Sequence, residues 1–582
     1  MSVNLSLLGG AGWQFFTDNG TPLAGGLLYT YLAGTSTAAT TYTTSANNVP
    51  NSNPIVLNSA GRVQTEIWLT QGVSYKFVLK TSAFITIGTY DNIDGAADPA
   101  PFYAFEAALA SSSGSSLVGF IQSGSGAVAT TVQAKLRESV SVMDFGADPT
   151  GATDSQPAID AALNSGAGAV YFPDGTYLIN DTVDVPNGVS LFGENMMTTK
   201  IVAGTGMADN IKLYLRGNQS VSDLYIDGNF RNQSSANFTE GSAIYIAGEV
   251  SATNVVVTNV FVYDTNGSSI ASQGGTDVAV YNFYAEDFQD HGIYFAANTS
   301  NIRVDGFNVK SNANAKEIIK VRENSHDHIY TNGLVDGSAG GSSLIYLSED
   351  ASAPQGYNIS FSNITANIKN YCVYSASGGG LGFRNVVVDN FTITGDGGVV
   401  FFQTFTGNPA SGIDQIEIRN SSFEDFSRFF ESSPGSASLT NTSFTVSGCL
   451  FDSGSEIYAR NFITGYETIE ISNCTFRSTT TKATLFQRTY DFSRFIFQNS
   501  LVLNYDILFD VESAAPNNDL TNDGYLSING CTFENMTYWL SAGYAPGSTP
   551  NNIYAMACIL NGATATFNAA YSAKVFDTYN YA

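Results

Sequence analysis

A loose internal repeat extends along the chain from about residue 185 onward, and it restricts the folds that the chain can adopt. Each unit has an apolar strand, a turn marked by Asn or Gly, and a second apolar residue, and neighbouring units lie roughly 23 to 27 residues apart. One coil of a parallel β-helix needs about this length for three short strands and three turns. The turn markers are Asn259, Asn282, Gly306, Asn363, Asn390, Gly448, Asn473 and Gly530. The repeat therefore predicts an all-β solenoid, a parallel β-helix.

The Asn residues at these turns have a mechanical role. Asn tolerates left-handed backbone angles, and stacked Asn side chains can hydrogen-bond from one coil to the next. Three wider gaps, from Gly306 to Asn363, from Asn390 to Gly448 and from Asn473 to Gly530, fit two coils with one marker missing. One coil cannot bury its apolar face alone, so stacking must supply the core. The cysteines at 449, 474 and 531 recur in matching contexts and are predicted to be stacked, buried small hydrophobes.

Composition excludes several classes of function. Lys and Arg total 24 against 51 Asp and Glu, a net charge of −27, which argues against binding to nucleic acid. No run of about 18 apolar residues occurs, so we predict no membrane span. The start of the chain has no basic segment followed by an apolar one, so no signal peptide is expected. No Cys or His cluster has metal-ligand spacing, and we predict neither a metal nor a cofactor.

The first part of the chain differs in composition from the repeats. Residues 1–95 are rich in Tyr, Thr and Val and contain frequent turn signals, which predicts a compact β domain. Residues 96–140 begin as a linker rich in Gly, Ala, Ser and Pro and end in a short helical pattern. Val132, Leu136 and Val140 share one face of that helix, which suits a neck where three chains meet. The alternative is a helix that packs only on its own chain.

Two segments resemble bacteriophage tailspike proteins. The first is similar to the domain that attaches tailspikes to the virion, and it carries in order the motifs Asn19-Gly20, Gly25-Gly26, Gly61-Arg62, Trp68 and Asp91-Asn92-Ile93. The second is similar to the beginning of the right-handed, pectin-lyase-like β-helix of many tailspikes, through Asp144 to Ala147, Thr153 to Ser155 and Tyr171 to Tyr177. A short helix through Leu163, capped by Asp154 or Ser155, can cover the first coil.

This resemblance implies an organisation and a function. We expect the β-helix to begin with its capping helix at 141–185 and to continue through 186–582 with a short C-terminal cap. The chain is expected to be a homotrimer that is made in the host cytoplasm, docks on phage tail or portal-proximal proteins through residues 1–95, and acts at the host cell surface. There it would bind lipopolysaccharide or capsule and degrade it. The alternatives are a non-catalytic adhesin and a structural tail component.

The second strand of successive coils predicts a column of binding residues. Inward-facing apolar pairs such as Ile244 and Ile246, or Ile293 and Phe295, leave the residue between them facing outward. Flat rings stack on pyranose faces, so an exposed aromatic column suits a sugar-binding groove, although a trimer interface would also use it. The predicted ligand-binding residues are Tyr245, Tyr294, Lys320, Arg322, Tyr346 and Tyr374, with Phe402 as a continuation.

Carboxylates flank this column at both ends of the strands. Acids one coil apart would lie about 5 Å apart and acids two coils apart about 10 Å, distances that bracket retaining and inverting glycosidases. The predicted catalytic candidates are Asp290, Glu317, Glu323, Glu349 and Asp350. We therefore expect a glycoside hydrolase rather than a lyase, although Lys320 or Arg322 could bind an acidic sugar or serve as a lyase base. The alternative is that these acids are surface charges, and His326 and His328 are predicted to be turn residues.

Overall fold

The protein is described by a computed structural model that is 56% strand and 7% helix. It divides into two compact units, Met1–Lys135 and Leu136–Ala582. The structure describes residues 3–577 apart from 97–99, 208–209, 233–240, 247–251, 341–342, 350–354, 378–381, 406–412, 433–441, 454–465, 488–493, 512–524, 537, 543–551, 557, 562–565 and 568–574.

The first unit contains a small antiparallel β domain. Its main sheet has the strand order Ile55–Val56, Leu27–Leu32, Tyr75–Lys80 and Thr86–Ile93, and a second sheet pairs Val3–Leu5 with Trp68–Thr70. Alternate residues of Tyr75–Lys80 are buried, as expected for a strand with one face on a core. The remaining elements are helix Ala100–Leu109, the 3-10 turn Gly114–Leu117, strands Gly119–Phe120 and Thr130–Thr131, and helix Val132–Leu136.

The helix in the predicted neck is shorter than expected. It ends at Leu136, and Val140 lies in strand Ser139–Ser141, which pairs in parallel with Ala169–Phe172. The prediction that Val132, Leu136 and Val140 share one helical face is therefore wrong. Pairing with the next coil extends the chain where the local pattern favours a helix.

The second unit is a right-handed parallel β-helix of about 12 turns, which confirms the predicted fold class. In the described residues its strands form two sheets. The short sheet contains Val183–Val185, Leu213–Leu215, Ile244–Ile246, Ile270–Gln273, His291–Ala296, Glu317–Arg322, Ser343–Glu349, Tyr371–Ser377, Val399–Phe405 and Arg428–Ser432. The long sheet contains Ser139–Ser141, Thr150–Asp154, Ala169–Phe172, Gly175–Ile179, Ser190–Gly193, Thr199–Ala203, Gln219–Asp227, Thr253–Thr265, Thr276–Phe288, Ser300–Lys310, His326–Gly337, Gly356–Ile368, Phe383–Gly395, Gln415–Arg419, Ser422–Glu424, Ser443–Ser447, Leu450–Asp452, Thr468–Ser472, Thr475–Gln487, Arg494–Gln498, Leu501–Val511, Tyr525–Asn529, Thr532–Glu534, Tyr538–Ala542, Asn552–Met556, Ile559–Asn561, Thr566–Phe567 and Val575–Asp577.

A helix covers the start of the solenoid core. Helix Gln156–Leu163 buries Ile159, Ala162 and Leu163, and these residues belong to the core of the β-helix. Its first turn is capped by Asp154, whose Oδ1 accepts a hydrogen bond from the Gln156 backbone N–H at 3.0 Å. The 3-10 turn Val142–Phe145 precedes it, and a second 3-10 turn, Phe230–Asn232, lies beside the long sheet. The open end of the solenoid is thereby covered, as a stacked fold requires.

The predicted turn markers all have left-handed backbone angles, with φ between 49° and 72°. Their side chains hydrogen-bond along the axis, for example from Asn282 Nδ2 to Asn259 Oδ1 at 3.1 Å and from Asn390 Nδ2 to Asn363 Oδ1 at 2.8 Å. Each of the three wider gaps contains a marker, because Asn332, Asn420 and Asn499 occupy those positions with φ of 58°, 52° and 48°. The cysteines at 449, 474 and 531 are buried, as predicted.

Candidate functional site

The column predicted on the second strand of each coil lies on the outer face of the short sheet. Strand register places Tyr245, Ala271, Tyr294, Lys320, Tyr346, Tyr374 and Phe402 side by side in consecutive coils. The neighbouring Ile293 and Phe295, like their equivalents in other coils, are fully buried in the core. The predicted alignment is therefore confirmed, with one additional coil at Ile270–Gln273 that the sequence pattern did not reveal. We call this set of seven residues the aromatic column.

The rings of the aromatic column stack on one another. Tyr346 and Tyr374 have ring centroids 4.8 Å apart with planes 15° apart, and Tyr374 lies 5.3 Å from Phe402. At the other end Tyr245 stacks at 5.7 Å on Tyr214, which continues the column by one coil and was not predicted. Ala271 is buried and the other six side chains are partly exposed, so the column presents a partly aromatic, partly polar surface to a ligand.

A cluster of buried charges lies at the start of the central coils. His291 begins strand His291–Ala296, and its Nδ1 is 2.6 Å from Asp290 Oδ2 while its Nε2 is 2.8 Å from Glu317 Oε2. The His291 ring also stacks on Tyr294 at 5.0 Å. Asp290 and His291 are each only 4% exposed. We call Asp290, His291 and Glu317 the His291 cluster.

Two lysines border the His291 cluster. Lys316 Nζ lies 2.6 Å from Asp290 Oδ1, and Lys320 Nζ lies 3.7 Å from Glu317 Oε2. Lys320 also lies over two rings of the aromatic column, with Nζ 5.9 Å from the centroid of Tyr294 and 4.9 Å from that of Tyr346. Glu317 Oε2 therefore lies between His291 and Lys320.

The environment moves the pKa values of these groups in different directions. Burial alone would raise the pKa of Glu317, but contact with His291 and its charge outweighs burial, and the pKa lies below its ordinary value. The pKa of Asp290 is lowered in the same way, with His291 and Lys316 opposing burial. Both carboxylates are therefore ionised at neutral pH.

Lys320 and Tyr294 have the properties of a proton acceptor and a proton donor. Burial lowers the pKa of Lys320, in spite of the negative charges of Glu317 and Asp290. Burial raises the pKa of Tyr294, although contact with Arg322 partly opposes this effect. Lys320 is thus more easily deprotonated than an ordinary lysine, while the Tyr294 hydroxyl keeps its proton. Groups with divergent pKa values at one site can divide the roles of base and acid.

The other predicted acids lie past the column. Glu323 pairs with Arg322 at 2.8 Å and has a left-handed backbone angle, with φ of 52°. Glu349 is 1% exposed, and its carboxylate accepts hydrogen bonds from the backbone N–H groups of Asn324 and Gly356. Glu349 is therefore not the surface charge that was the alternative to a catalytic role, because it is buried and holds two backbone turns together. Asp350 lies outside the described residues.

The histidines have different positions from those expected. His326 and His328 lie in strand His326–Gly337 rather than in a turn, because the chain resumes the long sheet there. His328 is fully buried, and burial lowers its pKa to about 3, so it stays neutral and contacts Thr299 and Tyr330. His291, which the sequence analysis did not select, is the histidine at the site. Its only sequence signal is its position next to Asp290 at the start of an apolar strand.

No group of three or more metal-ligating side chains comes together within the part of the chain that the structure describes. None of the described helices is long and apolar enough to span a lipid bilayer.

Comparison with protein families and curated proteins gives partial matches. A family model described as rhamnogalacturonase A/epimerase, pectate lyase-like, matches residues 139–449. Mannuronan C5-epimerase AlgE3 of Azotobacter vinelandii is 34% identical over 143 residues, which cover 21% of this chain and 8% of that protein. The SPbeta prophage-derived uncharacterized protein YomE of Bacillus subtilis is 29% identical over 116 residues, 18% of either chain. The chain thus spans only a small part of these relatives.

Comparison with solved structures gives the same fold over most of the chain. The tailspike protein of E. coli bacteriophage HK620, in complex with a pentasaccharide, has a TM-score of 0.52 at 14% identity. The match covers 82% of this chain and 86% of that one. A mutant of the same tailspike in complex with a hexasaccharide gives 0.51, also at 14% identity, over 83% and 87% of the two chains. At this identity the likeness concerns the fold.

Proposed function

The chain belongs to the rhamnogalacturonase A/epimerase, pectate lyase-like family, and on that premise we propose that it binds an acidic polysaccharide along the aromatic column and cleaves it by β-elimination beside the His291 cluster. The observation that carries this proposal is the position of Lys320. It lies in the middle of the aromatic column, within 3.7 Å of the His291 cluster, and its pKa is lowered by burial. Lys320 is therefore both a part of the proposed binding surface and the proposed proton acceptor.

The dimensions of the aromatic column support binding to a polymer. From Tyr245 to Phe402 it extends over six coil spacings, which is about 29 Å at about 4.8 Å each. A surface of that length accommodates several consecutive sugar residues. The outer edges of the rings supply apolar contact with the sugars, and the Tyr hydroxyls supply hydrogen bonds to sugar oxygens.

The charges favour elimination from a uronate. Arg322 can pair with the sugar carboxylate and so stabilise the negative charge that develops when the C5 proton leaves. That proton passes to the free amine of Lys320 Nζ, and the electron pair forms the double bond between C4 and C5. The bond from C4 to the glycosidic oxygen breaks, and this oxygen takes the proton of the Tyr294 hydroxyl. Glu317, which is held by His291, positions Lys320.

Hydrolysis is less well supported than the sequence alone suggested. A glycoside hydrolase needs one carboxylic acid that is protonated before it acts. Asp290 and Glu317 have lowered pKa values, and Glu349 is engaged with backbone N–H groups. A non-catalytic adhesin is the second candidate function, because the aromatic column could bind a polymer without any proton transfer.

We further propose that the chain is a phage tail protein of the tailspike type. The support comes from the fold shared with the HK620 tailspike over 82% of the chain and from the tailspike-like motifs of residues 1–95. Those residues would dock on tail or portal-proximal proteins, and the β-helix would meet lipopolysaccharide or capsule at the host surface. Such proteins would act as homotrimers. Sedimentation equilibrium of the purified protein is expected to give the mass of three chains, and the mass of one chain would contradict it.

Loss of two rings from the aromatic column tests the binding role. Replacing Tyr346 and Tyr374 together by Ala is expected to raise the Kd for an acidic polysaccharide by about 30-fold or more, because ring stacking contributes about 1 kcal/mol for each ring. Binding would be measured by calorimetry with polymannuronate and polygalacturonate, and with dextran as a neutral polymer.

A control variant tests whether the loss of any stacked aromatic ring on the β-helix would weaken polymer binding. Tyr225 stacks on Phe261 at 4.9 Å on the long sheet, away from the aromatic column, so Tyr225→Ala should leave the Kd unchanged. If the double variant binds as tightly as the wild type, the column does not bind the polymer. If the variant instead loses its assembled mass, these tyrosines belong to a subunit interface.

A further inference from the structure

A polar cavity lies on the long sheet of the β-helix, away from the aromatic column. It is formed where strands Gly356–Ile368, Phe383–Gly395 and Gln415–Arg419 of the long sheet begin, and its volume is about 440 Å³. That volume is in the range of sites that hold small molecules. The lining residues are Gln355, Tyr357, Asn358, Arg384, Asn385 and Gln415. We call it the Tyr357 cavity.

The aromatic wall of the Tyr357 cavity is held in a fixed orientation. The Tyr357 ring stacks on His326 of the preceding coil, with centroids 4.6 Å apart and planes 5° apart. His326 is fixed in turn, because its Nδ1 lies 2.8 Å from Asp327 Oδ2. Tyr357 remains 38% exposed, so its edge and hydroxyl are accessible to a ligand.

Arg384 brings a positive charge to the Tyr357 cavity, and this charge also acts on the Asp414 carboxylate nearby. It follows Tyr357 in the register of the long sheet, one coil further along. Seven other arginines of the solenoid have a carboxylate within 4.0 Å, namely Arg216, Arg231, Arg303, Arg322, Arg419, Arg428 and Arg477. Within the described residues Arg384 has no such partner. A guanidinium that lies more than 4.0 Å from a carboxylate can pair with an anionic ligand.

The amide groups around the cavity are also pre-oriented. Asn358 Nδ2 donates to Asp327 Oδ1 at 2.8 Å, and Asn385 Nδ2 donates to Asn358 Oδ1 at 2.7 Å. Both residues have left-handed backbone angles, with φ of 56° and 57°. Gln355 Nε2 donates to Asp414 Oδ2 at 2.6 Å, a bond that spans two coils and forms one rim of the cavity. Polar groups fixed before binding lose little entropy when a ligand arrives.

We propose that the Tyr357 cavity is a second carbohydrate-binding subsite that holds one hexuronate residue. The planar guanidinium of Arg384 matches the geometry of a carboxylate and binds it through two parallel hydrogen bonds. The remaining amide oxygens and N–H groups pair with sugar hydroxyls, and the Tyr357 ring covers an apolar edge of the sugar. This inference takes its ligand class from the proposed function. The subsite binds without cleaving, and it adds an anchor for the polymer on another face of the β-helix.

The subsite is tested in a variant whose first site has lost its main binding groups. Lys320→Met combined with Arg322→Gln, Tyr346→Ala and Tyr374→Ala removes both cations and two rings of the aromatic column, and uronate binding would be followed by saturation-transfer difference NMR. The probes are the monosaccharides galacturonate and mannuronate, with glucose as the neutral control. Galacturonate or mannuronate is expected to give a saturable signal and glucose none. Adding Arg384→Gln should raise the Kd by about tenfold, as the loss of a charge-assisted hydrogen bond predicts.

Control variants test whether the change in uronate binding is specific to Arg384 and Tyr357. Arg419→Gln removes a salt-bridged arginine of the same sheet and should leave the Kd unchanged. Tyr357→Phe should leave stacking intact and reduce binding only slightly, whereas Tyr357→Ala should reduce it about as much as Arg384→Gln. A uronate signal that persists within twofold after Arg384→Gln and Tyr357→Ala, or no uronate signal at all, would overturn the inference. Because the test reads monosaccharide binding and not cleavage, its result is independent of whether the first site is catalytic.

Discussion

Replacing Lys320 by Met is expected to lower kcat for cleavage of an acidic polysaccharide by about 10³-fold, since general base catalysis contributes about 10²- to 10⁴-fold. The Kd for the polymer should rise by less than about tenfold, because the tyrosines of the aromatic column and Arg322 remain. Turnover would be followed by the ultraviolet absorbance of unsaturated uronate ends, and binding by calorimetry. A large loss of kcat with a small change in Kd is expected for a side chain that transfers a proton. A lysine that only bound the polymer would mainly affect the Kd.

Two further variants identify the role of Lys320. Lys320→Arg keeps the positive charge but cannot release a proton near neutral pH, so it is expected to be as inactive as Lys320→Met. Lys310→Met removes an exposed lysine that pairs with Glu286, and it should cleave at the wild-type rate. Full activity in Lys320→Arg would show that Lys320 acts only through its charge.

The same role predicts the pH dependence of cleavage. The free amine is the active form of Lys320, and burial places its pKa below the ordinary value of 10.5. The rate of the wild type should therefore rise with pH and reach its plateau below 10.5. It should fall again only when Tyr294 loses its proton, above the ordinary tyrosine pKa of 10.0 because burial raises it. A rate that falls from neutral to mildly alkaline pH would contradict this assignment.

Replacing His291 by Leu is expected to reduce the free energy of unfolding by about 3 to 5 kcal/mol, because two buried carboxylates lose their shared partner. Asp290 and Glu317 have side chains that are only 6% and 16% exposed. The change would be measured as urea denaturation or, if unfolding is irreversible, as the rate of thermal inactivation. His326→Leu provides the matched control. It removes a His–Asp pair whose side chains are 26% and 48% exposed, so its effect should stay within about 1 kcal/mol.

Acidification distinguishes this electrostatic effect from a loss of packing. The folded pKa values of Asp290 and Glu317 lie below their ordinary values of 3.8 and 4.5. Their contribution to stability is therefore present above those values and is lost as the pH falls through the folded pKa values. In His291→Leu burial is opposed only by Lys316 at Asp290 and by Lys320 at Glu317, so both pKa values should be higher than in the wild type. The deficit should therefore be largest at neutral pH and shrink below about pH 4. A deficit that does not depend on pH would show that the variant suffers only from lost packing.

Periodicity made most of the solenoid predictable. Turn residues with left-handed angles recur once per coil, and apolar pairs face inward, so both the Asn positions and the aromatic column follow from the sequence. The coil at Ile270–Gln273 was missed because Ser272 replaces the second inward apolar residue and Ala271 replaces the ring. A pattern that relies on apolar pairs cannot recognise a coil whose inward position is polar. The capping helix was predictable because its N-terminal residues carry a local signal.

The centre of the candidate site depends on contacts between coils. His291 lies opposite Glu317 in the register of the short sheet, and this pairing can be known only after the coils are aligned. Glu349 is buried and its carboxylate accepts a backbone hydrogen bond. Its sequence context resembles that of an exposed strand end, so this structural role could not be predicted from the sequence. In the neck, Val140 joins a strand because its partner Val170 lies in the next coil. Local sequence carries no information about such partners.

The most direct test is to incubate the purified protein with polymannuronate, polygalacturonate and an acidic capsular polysaccharide, and to follow fragment size, reducing ends and ultraviolet absorbance together. The account predicts shorter fragments whose new ends absorb, in the wild type and in Lys310→Met but not in Lys320→Met. New reducing ends without absorbance would identify a hydrolase and contradict the elimination. Binding to these polymers without any fragmentation would identify an adhesin and contradict the catalytic role of Lys320.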